Sequence, residues 1–313
     1  MSVTRVAAID CGTNSIRLLI ADLDPATGAI TDLDRRMLIV RLGQDVDRTG
    51  RLAPEALERT FAACREYAAV IAEYQVGPER TRFVATSASR DAENSAEFTK
   101  GVREILGVEP EVVSGDEEAQ LSFTGATKEL AGAAVPAPYL VFDLGGGSTE
   151  FVLGGAQVHA ARSVDIGCVR LTERHFAGSQ VPTADQIAAA RADIEAALDQ
   201  AAEVVPLTEA ASLVGLAGTV TTVAAIALGL PEYDSTAVHH SRLSSAQVRE
   251  VTERLLAATH AERAAIPVMH PGRVDVIGAG ALVLLSIMER TGAEELVVSE
   301  HDILDGIAWS AAV

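Results

Sequence analysis

Hydrophobic and polar positions follow the same order in the two halves of the chain. Each half begins with a short apolar run, passes through a polar turn of the form D-x-G-x-x-S, and continues through two further apolar runs. Short turns between such runs are typical of antiparallel β-hairpins. The predicted strands lie at residues 6–9, 16–22 and 37–42 in the first copy and at 139–142, 149–153 and 158–164 in the second.

Helical periodicity follows each copy of this hairpin pattern. Apolar residues recur at helical spacing over residues 54–74 and again over 184–204, and a further helix is predicted near 245–258. Two capping boxes mark helix starts, because a Ser or Thr stands three residues before a Gln. These pairs are Thr183 with Gln186 and Ser244 with Gln247.

Strands alternate with helices through both halves, which indicates two duplicated α/β domains that face each other. Residues 132–138, Gly-Ala-Ala-Val-Pro-Ala-Pro, are typical of a linker. We therefore expect a first domain at 1–131 and a second at 132–301. By analogy with duplicated folds, the helix at 302–313 is expected to return to the first domain.

One segment allows a membrane-spanning interpretation. Residues 210–230 carry no charge and are long enough to cross a bilayer. However, they contain Gly215, Gly218 and three threonines, and Pro231 follows them. A buried strand, a glycine turn and a buried helix account for this distribution better, so we expect no membrane association.

The net charge of −19 argues against a nucleic-acid-binding protein, because no basic field is present to hold a phosphate backbone. A polyanionic ligand would have to be neutralised locally, by a metal ion and a few arginines. The three cysteines (Cys11, Cys64 and Cys168) are scattered and odd in number, which favours a reducing cytoplasm. Asp10 interrupts the N-terminal apolar run too early for a signal peptide.

The turn of the second copy is the strongest candidate for phosphate binding. It contains Gly145, Gly146, Gly147 and Ser148. Glycines let backbone N–H groups approach a phosphate, and the Ser hydroxyl adds a donor. Asp143 at the strand end is placed to hold Mg²⁺ directly or through water, and Glu150 on the next strand is placed to share it. The alternative is a tight hairpin whose glycines only provide a positive φ.

The first copy supplies a counterpart of this turn. Asp10 ends the first strand, and Asn14 and Ser15 are candidate phosphate donors. Arg17 lies on the same strand face as Ser15. It either contacts the ligand or pairs with a neighbouring carboxylate, and the sequence does not separate these two roles.

Three consecutive acids follow an apolar strand at residues 116–118. Acidic residues in the first turn of a helix are common because they suit the helix dipole. Three in a row exceed what capping needs, so one of Asp116, Glu117 and Glu118 is a candidate general base for water. Arg90 also lies between a strand end and a helix start, where it either contacts phosphate or pairs on the surface with Asp91 or Glu93.

Two glycine turns in the second half, at 215–218 and 278–280, join apolar segments to helices. Gly218 either admits a phosphate at a helix N-terminus or only permits close packing. The histidines predict no cluster, because neighbours such as His239 and His240 would face opposite ways on a strand. Their spacing predicts no zinc site.

These motifs together resemble the exopolyphosphatase/guanosine pentaphosphate phosphohydrolase family, within the superfamily of acetate kinases, sugar kinases, heat-shock chaperones and actin. The matching segments are IDCGTNSIRLL at 9–19, TSASRDAEN at 86–94, SGDEEAQL at 114–121, DLGGGSTEF at 143–151, GCVRLTE at 167–173, GLAGTVTT at 215–222, RVDVIGAGALVL at 273–284 and VSEHDILDGI at 298–307. They span nearly the whole chain in order. Gln120 departs from the pattern, since many members have arginine there.

The resemblance implies two duplicated actin-like (ribonuclease H-like) α/β domains with an active-site cleft between them. It implies that Glu118 is the catalytic base and that Asp143 and Glu150 belong to a metal–phosphate site. The implied phosphate contacts are Asn14, Ser15, Arg90, Gly145, Gly146, Gly147 and Ser148. The implied cofactor is Mg²⁺, with Mn²⁺ as the alternative ion. Short members of the family commonly form homodimers.

Hydrolysis of terminal phosphate from inorganic polyphosphate is the function expected from these features. The alternatives are hydrolysis of guanosine pentaphosphate to tetraphosphate, a sugar kinase, and a sensor that binds a nucleotide or alarmone. Short polyphosphate chains are the expected substrates, because the net charge repels long polyanions and longer relatives continue into an extra domain. Arginines between His239 and Arg273 alternate with acids at helical spacing, which predicts i,i+4 pairs rather than a basic track.

Overall fold

The computed structural model describes residues 3–27, 29–130 and 135–312. The chain divides into two compact units. Unit 1 comprises the residues up to Lys128 together with those from Asp302 onward, and unit 2 comprises Glu129–His301. The domain boundary expected at 131/132 stays a prediction, because residues 131–134 lie outside the described residues.

Strands and helices are numbered along the chain. The strands are β1 Thr4–Cys11, β2 Ser15–Asp24, β3 Ala29–Ile39, β4 Thr81–Ala85, β5 Glu111–Val112, β6 Tyr139–Leu144, β7 Thr149–Gly154, β8 Val158–Val164, β9 Ser212–Leu216, β10 Arg242–Ser244 and β11 Glu295–Val298. The α-helices are α1 Val46–Thr49, α2 Pro54–Glu73, α3 Ser87–Asp91, α4 Ser95–Leu106, α5 Gly115–Leu130, α6 Cys168–Leu171, α7 Ala184–Ala202, α8 Ala217–Ala227, α9 Ser235–Val238, α10 Ser245–Ala257, α11 His260–Ala264, α12 Ile277–Thr291 and α13 Ile303–Ser310. A π-helical turn, Thr172–Phe176, extends α6.

Unit 1 contains a five-stranded sheet in the order β3-β2-β1-β4-β5. The first three strands are antiparallel neighbours, whereas β4 and β5 run parallel to β1. Side chains of β1 alternate between two hydrophobic cores on opposite faces of the sheet. Ala7 and Ile9 pack in the core that includes α2 and α4, whereas Val6 and Ala8 pack in the core that includes α13. The continuous apolar run of this strand follows from its burial on both faces.

Unit 2 contains a six-stranded sheet in the order β10-β11-β9-β6-β7-β8. It repeats the antiparallel arrangement of unit 1 in β6, β7 and β8, and β9 and β11 continue it as parallel strands. Both predicted capping boxes are present, at Thr183 and Ser244. The two sheets with their surrounding helices confirm the predicted duplicated α/β fold class.

The strand predicted at 37–42 is misplaced. The observed β3 starts at Ala29 and ends at Ile39, and the N–H groups of Val40 and Arg41 then donate to the carbonyl of Asn14 (3.1 and 2.9 Å) instead of extending the ladder. Charged residues on β3, an edge strand, hide the first part of the strand from a hydrophobic pattern. They are Asp32, Asp34, Arg35 and Arg36.

The uncharged segment 210–230 forms the buried strand β9 followed directly by the buried helix α8. That helix has 11 residues, well short of the length of about 20 that crosses a bilayer. Across the described part of the chain, no helix is both long and apolar enough to span a membrane.

Candidate active site

Two buried carboxylates face each other at the start of the unit 2 hairpin. Asp143 near the end of β6 is the register partner of Glu150 on β7, and their relative exposures are 7% and 1%. The hydroxyl of Ser163 on β8 donates to Glu150 Oε1 at 2.7 Å. Burial of two neighbouring acids is unfavourable unless a cation or hydrogen bonds compensate their charge.

This pair fits a hard divalent cation. Carboxylate oxygens are the protein ligands that Mg²⁺ prefers, and Mg²⁺ is commonly bound through one or two carboxylates with water and substrate phosphates completing its shell. Within the described residues, no group of three or more His, Cys, Asp or Glu side chains could hold a metal. With two carboxylates from the protein, such an ion would take its remaining ligands from a phosphate and water.

The glycine turn between these strands directs its C=O groups and its N–H groups to opposite sides. The carbonyls of Gly145 and Gly146 accept N–H bonds from Cys168 (3.0 Å) and Val169 (2.9 Å) at the start of α6. The carbonyl of Gly147 accepts from Arg170 Nε at 2.7 Å. In a trans peptide the N–H points opposite to the C=O. The next N–H groups, those of residues 146–148, therefore point away from α6, as in an anion-binding nest.

The glycines of this turn are not explained by a positive φ. None of Gly145, Gly146 and Gly147 is among the glycines with a positive φ in the described chain. What they provide is the absence of a side chain beside the outward-facing N–H groups, which is the requirement for close approach of a ligand.

Gly167 supports the turn from behind. A Cβ at this position would overlap the Gly146 carbonyl and would lie 2.6 Å from the Gly147 nitrogen. Only glycine therefore lets the start of α6 reach the carbonyls of the turn. Gly167 opens the segment GCVRLTE at 167–173, which carries part of the family resemblance, but no local pattern marks it as a support of the turn.

The unit 1 hairpin repeats the turn geometry. Gly12 donates its N–H to the Ser15 carbonyl at 2.9 Å, as Gly145 does to the Ser148 carbonyl at 3.1 Å. The Thr13 hydroxyl lies 2.8 Å from the Ser87 hydroxyl, which ties the turn to α3. Asn14 and Ser15 are half-buried. Their predicted role as phosphate donors stays a prediction.

Arg17 forms ion pairs in the structure, which favours the second of its two predicted roles. Its Nε and Nη2 donate to Asp10 Oδ2 at 2.9 and 2.6 Å, and its Nη1 donates to Asp302. Arg17 and Asp10 are register partners on β1 and β2, as Glu150 and Asp143 are on the corresponding strands of unit 2. At these equivalent positions the unit 1 hairpin carries a carboxylate and a guanidinium, whereas the unit 2 hairpin carries two carboxylates.

The two carboxylates that share Arg17 differ in their titration. Burial raises the pKa of Asp10, although Arg17 opposes this rise. Burial also acts to raise the pKa of Asp302, but Arg17 and the N–H of Leu304 reverse the effect and lower the pKa below its usual value. The Arg17–Asp302 pair is therefore ionised at neutral pH.

Glu118 and Glu117 have different surroundings. Glu118 is 7% exposed, and its Oε2 accepts from Arg90 Nη1 at 3.1 Å. Glu117 is half-exposed and accepts from Arg82 Nη2 at 2.9 Å. A buried carboxylate whose orientation is fixed by hydrogen bonds is better placed to act on a bound water than a solvated carboxylate in a surface ion pair. The structure thus favours Glu118 over Glu117 as the candidate base.

Arg90 reaches the start of α5, the helix that carries Glu118. The same Nη1 that contacts Glu118 also donates to the carbonyl of Val113 at 3.0 Å. Glu93, one of the two expected surface partners, lies 3.5 Å from Arg51 instead. Arg90 therefore links α3 to the start of α5.

Gly218, at the start of α8, packs against the side chain of an arginine. A Cβ there would overlap the Arg273 guanidinium, whose Nη1 donates to the Thr222 hydroxyl at 2.8 Å. Ala217, just before it, has φ +70°, a conformation that is strained for a residue with a side chain. Packing against this guanidinium is consistent with a glycine at this position, and the phosphate-binding role of Gly218 stays a prediction.

The prediction that the histidines form no cluster is wrong. The rings of His239 and His240 stack with centroids 3.7 Å apart, and the ring of His301 lies 4.8 Å from that of His239. These two neighbours are not on a strand. His240 has a left-handed φ of 59°, which turns its ring to the same side as that of His239.

Comparison with known proteins identifies the family to which this geometry belongs. The profile of the Ppx/GppA phosphatase family matches residues 19–312. The chain belongs to this family. The Ppx/GppA resemblance predicted from the motifs is thereby confirmed.

Relatives of this Ppx/GppA phosphatase match over its full length. Exopolyphosphatase 2 of Mycobacterium tuberculosis is 51% identical over 323 aligned positions that cover 100% of both chains. A solved exopolyphosphatase-like protein is 47% identical, with a TM-score of 0.93 and 99% of each chain covered. A Ppx/GppA family member from Aquifex aeolicus is 31% identical, with a TM-score of 0.79 over 99% of this chain and 97% of that chain.

Proposed function

We propose that this Ppx/GppA phosphatase is an exopolyphosphatase, which hydrolyses the terminal phosphoanhydride bond of inorganic polyphosphate and releases orthophosphate. The observation that supports this most directly is the unit 2 hairpin, where outward-facing N–H groups lie beside two buried, facing carboxylates. This combination suits a phosphate with a divalent cation. The 51% identity to a protein named exopolyphosphatase 2 supports polyphosphate as the substrate.

Asp143 and Glu150 would hold Mg²⁺, or Mn²⁺ as the alternative ion. When bound, such an ion neutralises negative charge on the phosphate oxygens and lowers the barrier to attack by water. The hairpin's own contribution is to present these carboxylates in a fixed register, with Ser163 orienting Glu150.

The remaining residues act on water and phosphate. Glu118 accepts a proton from the attacking water, and Arg90 fixes the orientation of its carboxylate. The N–H groups of residues 146–148 and the side chains of Asn14 and Ser15 donate to phosphate oxygens, where charge increases as the bond breaks. The cytoplasmic location stays a prediction from the cysteine usage, and the homodimer stays a prediction from the resemblance.

Phosphate release from a defined substrate panel tests this proposal. The panel contains polyphosphates of fixed length, guanosine pentaphosphate, and ATP with and without sugars, all at the same free Mg²⁺. The expected result is the highest kcat/KM on polyphosphate. A higher value on guanosine pentaphosphate would assign the alternative function within the same family, and phosphate transfer from ATP only with a sugar present would indicate a kinase.

Substitution of Gly167 by Ala is expected to raise the KM for polyphosphate by about tenfold or more, because small misplacements of a binding group have large effects. The new Cβ overlaps the Gly146 carbonyl and must displace the turn. The measurement is steady-state kinetics at a temperature where circular dichroism shows the variant folded.

A matched control for this variant is Gly155→Ala in the turn between β7 and β8 of the same sheet. A Cβ at Gly155 would meet only the Cβ of Ala137, at an ordinary 3.6 Å. The control should keep the wild-type KM. Equal KM values for folded Gly167→Ala and for the control would show that the turn does not bind the substrate.

Short polyphosphates are expected to be hydrolysed with higher kcat/KM than chains of several hundred phosphates. The chain carries a net charge of −19. In its most arginine-rich segment, several arginines form ion pairs or hydrogen bonds within unit 2. Arg242 pairs with Glu295, Arg249 pairs with Glu289 at 2.8 Å, and Arg263 donates to backbone carbonyls. The predicted i,i+4 pairs are thus wrong in detail for Arg242 and Arg249, since these partners lie on other elements.

The chain-length prediction is tested by kcat/KM across lengths at two salt concentrations. A protein without a basic track should show little gain with length and a shallow salt dependence. A steep salt dependence together with higher efficiency on long chains would contradict the prediction.

A further inference from the structure

The C-terminal helix α13 is anchored by a buried capping box. Asp302 is its N-cap, and Oδ1 accepts the N–H of Leu304 at 3.0 Å. Asp305 Oδ2 accepts the N–H of Asp302, also at 3.0 Å. Asp302 is 3% exposed and Asp305 is 1% exposed. Such a cap fixes the first turn of the helix, and with it the direction of the Asp302 carboxylate.

The other oxygen of that carboxylate connects α13 to the unit 1 hairpin. Asp302 Oδ2 pairs with Arg17, which in turn pairs with Asp10 at the end of β1. Asp10 stands two residues before Gly12, where the turn that carries Asn14 and Ser15 begins. A second pair joins Asp305 to Arg35 on β3. Both carboxylates of the capping box are thus also ion-paired to the antiparallel strands of the unit 1 sheet.

The same helix meets α5, which carries Glu118, at the level of the backbone. A Cβ at Gly306 would overlap the carbonyl of Leu121, one turn after Glu118. A Cβ at Gly125 of α5 would overlap the carbonyl of Asp302. Near the other end of the contact, the Lys128 ammonium lies 3.2 Å from the centre of the Trp309 ring. Two glycines therefore let the helix backbones touch, so that a shift of one helix moves the other.

We propose that α13 is a positioning element of the active site, in which Asp302 fixes the Asn14–Ser15 turn and Gly306 fixes the helix that carries Glu118. The catalytic assignment of Glu118 and of the turn rests on the proposed function. The positioning of both segments by one helix is the added inference, and it makes Asp302 and Gly306 positioning residues that do not touch the substrate.

The variant Asp302→Asn distinguishes the effect of the ion pair with Arg17 from that of the helix cap. Asparagine keeps an oxygen for the N–H of Leu304 but removes the charge that holds Arg17. The expected result is a KM for tripolyphosphate raised about tenfold, because the turn loses one of its supports. Gly306→Ala forces α13 away from α5, so it should lower kcat about tenfold with KM within about twofold.

The matched control is Asp22→Asn. Asp22 pairs with Arg5 through two bonds of 2.7 and 2.9 Å between the same strands β1 and β2, at the end far from the turn. A structural role alone would give Asp302→Asn and Asp22→Asn the same kinetics at a temperature where both are folded. Wild-type KM in folded Asp302→Asn would overturn the proposal, and if Gly306→Ala does not fold, Asp302→Asn decides it.

Hydrogen exchange provides a readout that is independent of the substrate. In Asp302→Asn, amides of residues 11–16 should exchange faster than in the wild type, and in Asp22→Asn these amides should be unchanged. If the wild-type protein releases no phosphate from polyphosphate, the proposed function fails, and the positioning of the turn is then decided by exchange alone. Unchanged exchange of residues 11–16 in Asp302→Asn would overturn it.

Discussion

Substitution of Glu118 by Gln is expected to lower kcat for polyphosphate by about 10²–10⁴-fold, the range that removal of a general base typically produces. Glutamine retains the size of the side chain and an oxygen that can accept from Arg90 Nη1, which lies 3.1 Å from the native carboxylate. It cannot take a proton from water. Substrate binding should therefore persist, and a tight complex without turnover is the expected state of the variant.

The neighbouring residue provides the control for this experiment. Glu117→Gln changes the same chemical group on the same helix turn, but the native side chain is half-exposed and pairs with Arg82. Its kcat should stay within about twofold of the wild type, because surface ion pairs contribute little. Loss of activity in Glu117→Gln together with near-normal activity in Glu118→Gln would exchange the two assignments.

Substitution of Asp143 by Asn is expected to raise the free Mg²⁺ concentration needed for half-maximal activity by at least about tenfold. Loss of groups that only orient metal ligands already weakens metal affinity by 10–100-fold, and Asp143 is proposed as a direct or water-mediated ligand. Glu150 would remain as the single carboxylate of the pair. The measurement is phosphate release as a function of free Mg²⁺, accompanied by a calorimetric titration of the metal.

Asp165→Asn is the control, since its side chain is 73% exposed and lies 3.9 Å from Arg170. It removes one negative charge from the same unit without changing the facing pair. The Mg²⁺ dependence should then match that of the wild type. A wild-type Mg²⁺ dependence in Asp143→Asn would show that the facing carboxylates do not hold the ion.

Much of the fold follows from local sequence signals. The two D-x-G-x-x-S turns and the two capping boxes are short-range features, in which the residues that determine the geometry are close in sequence. The start of β3 could not be predicted in the same way. Its residues are polar because the strand lies at the sheet edge, and only pairing with β2 makes it a strand.

The division of roles between Glu117 and Glu118 shows what a motif leaves open. Consecutive residues on a helix point about 100° apart, and here Glu118 is buried whereas Glu117 is exposed. Their arginine partners differ as well, since Glu118 accepts from Arg90 on α3 and Glu117 accepts from Arg82 on β4. These contacts are distant in sequence, and no local pattern reports them.

Arg17 and the histidines illustrate the same difficulty. The partner of Arg17 that the sequence could not supply, Asp302, is separated from it by 285 positions. The histidine rings meet because His240 adopts a left-handed φ, which a strand-like interpretation of the segment does not allow. In both cases the outcome is set by tertiary contacts or by a single unusual torsion.

Hydrolysis of tripolyphosphate in water enriched with heavy oxygen tests the central claim most directly. If water activated by Glu118 attacks the terminal phosphorus, each released orthophosphate must carry one oxygen from the solvent, and mass spectrometry of the product should show this single label. Released orthophosphate without solvent oxygen, or no release of phosphate by the folded protein with Mg²⁺ present, would contradict the account.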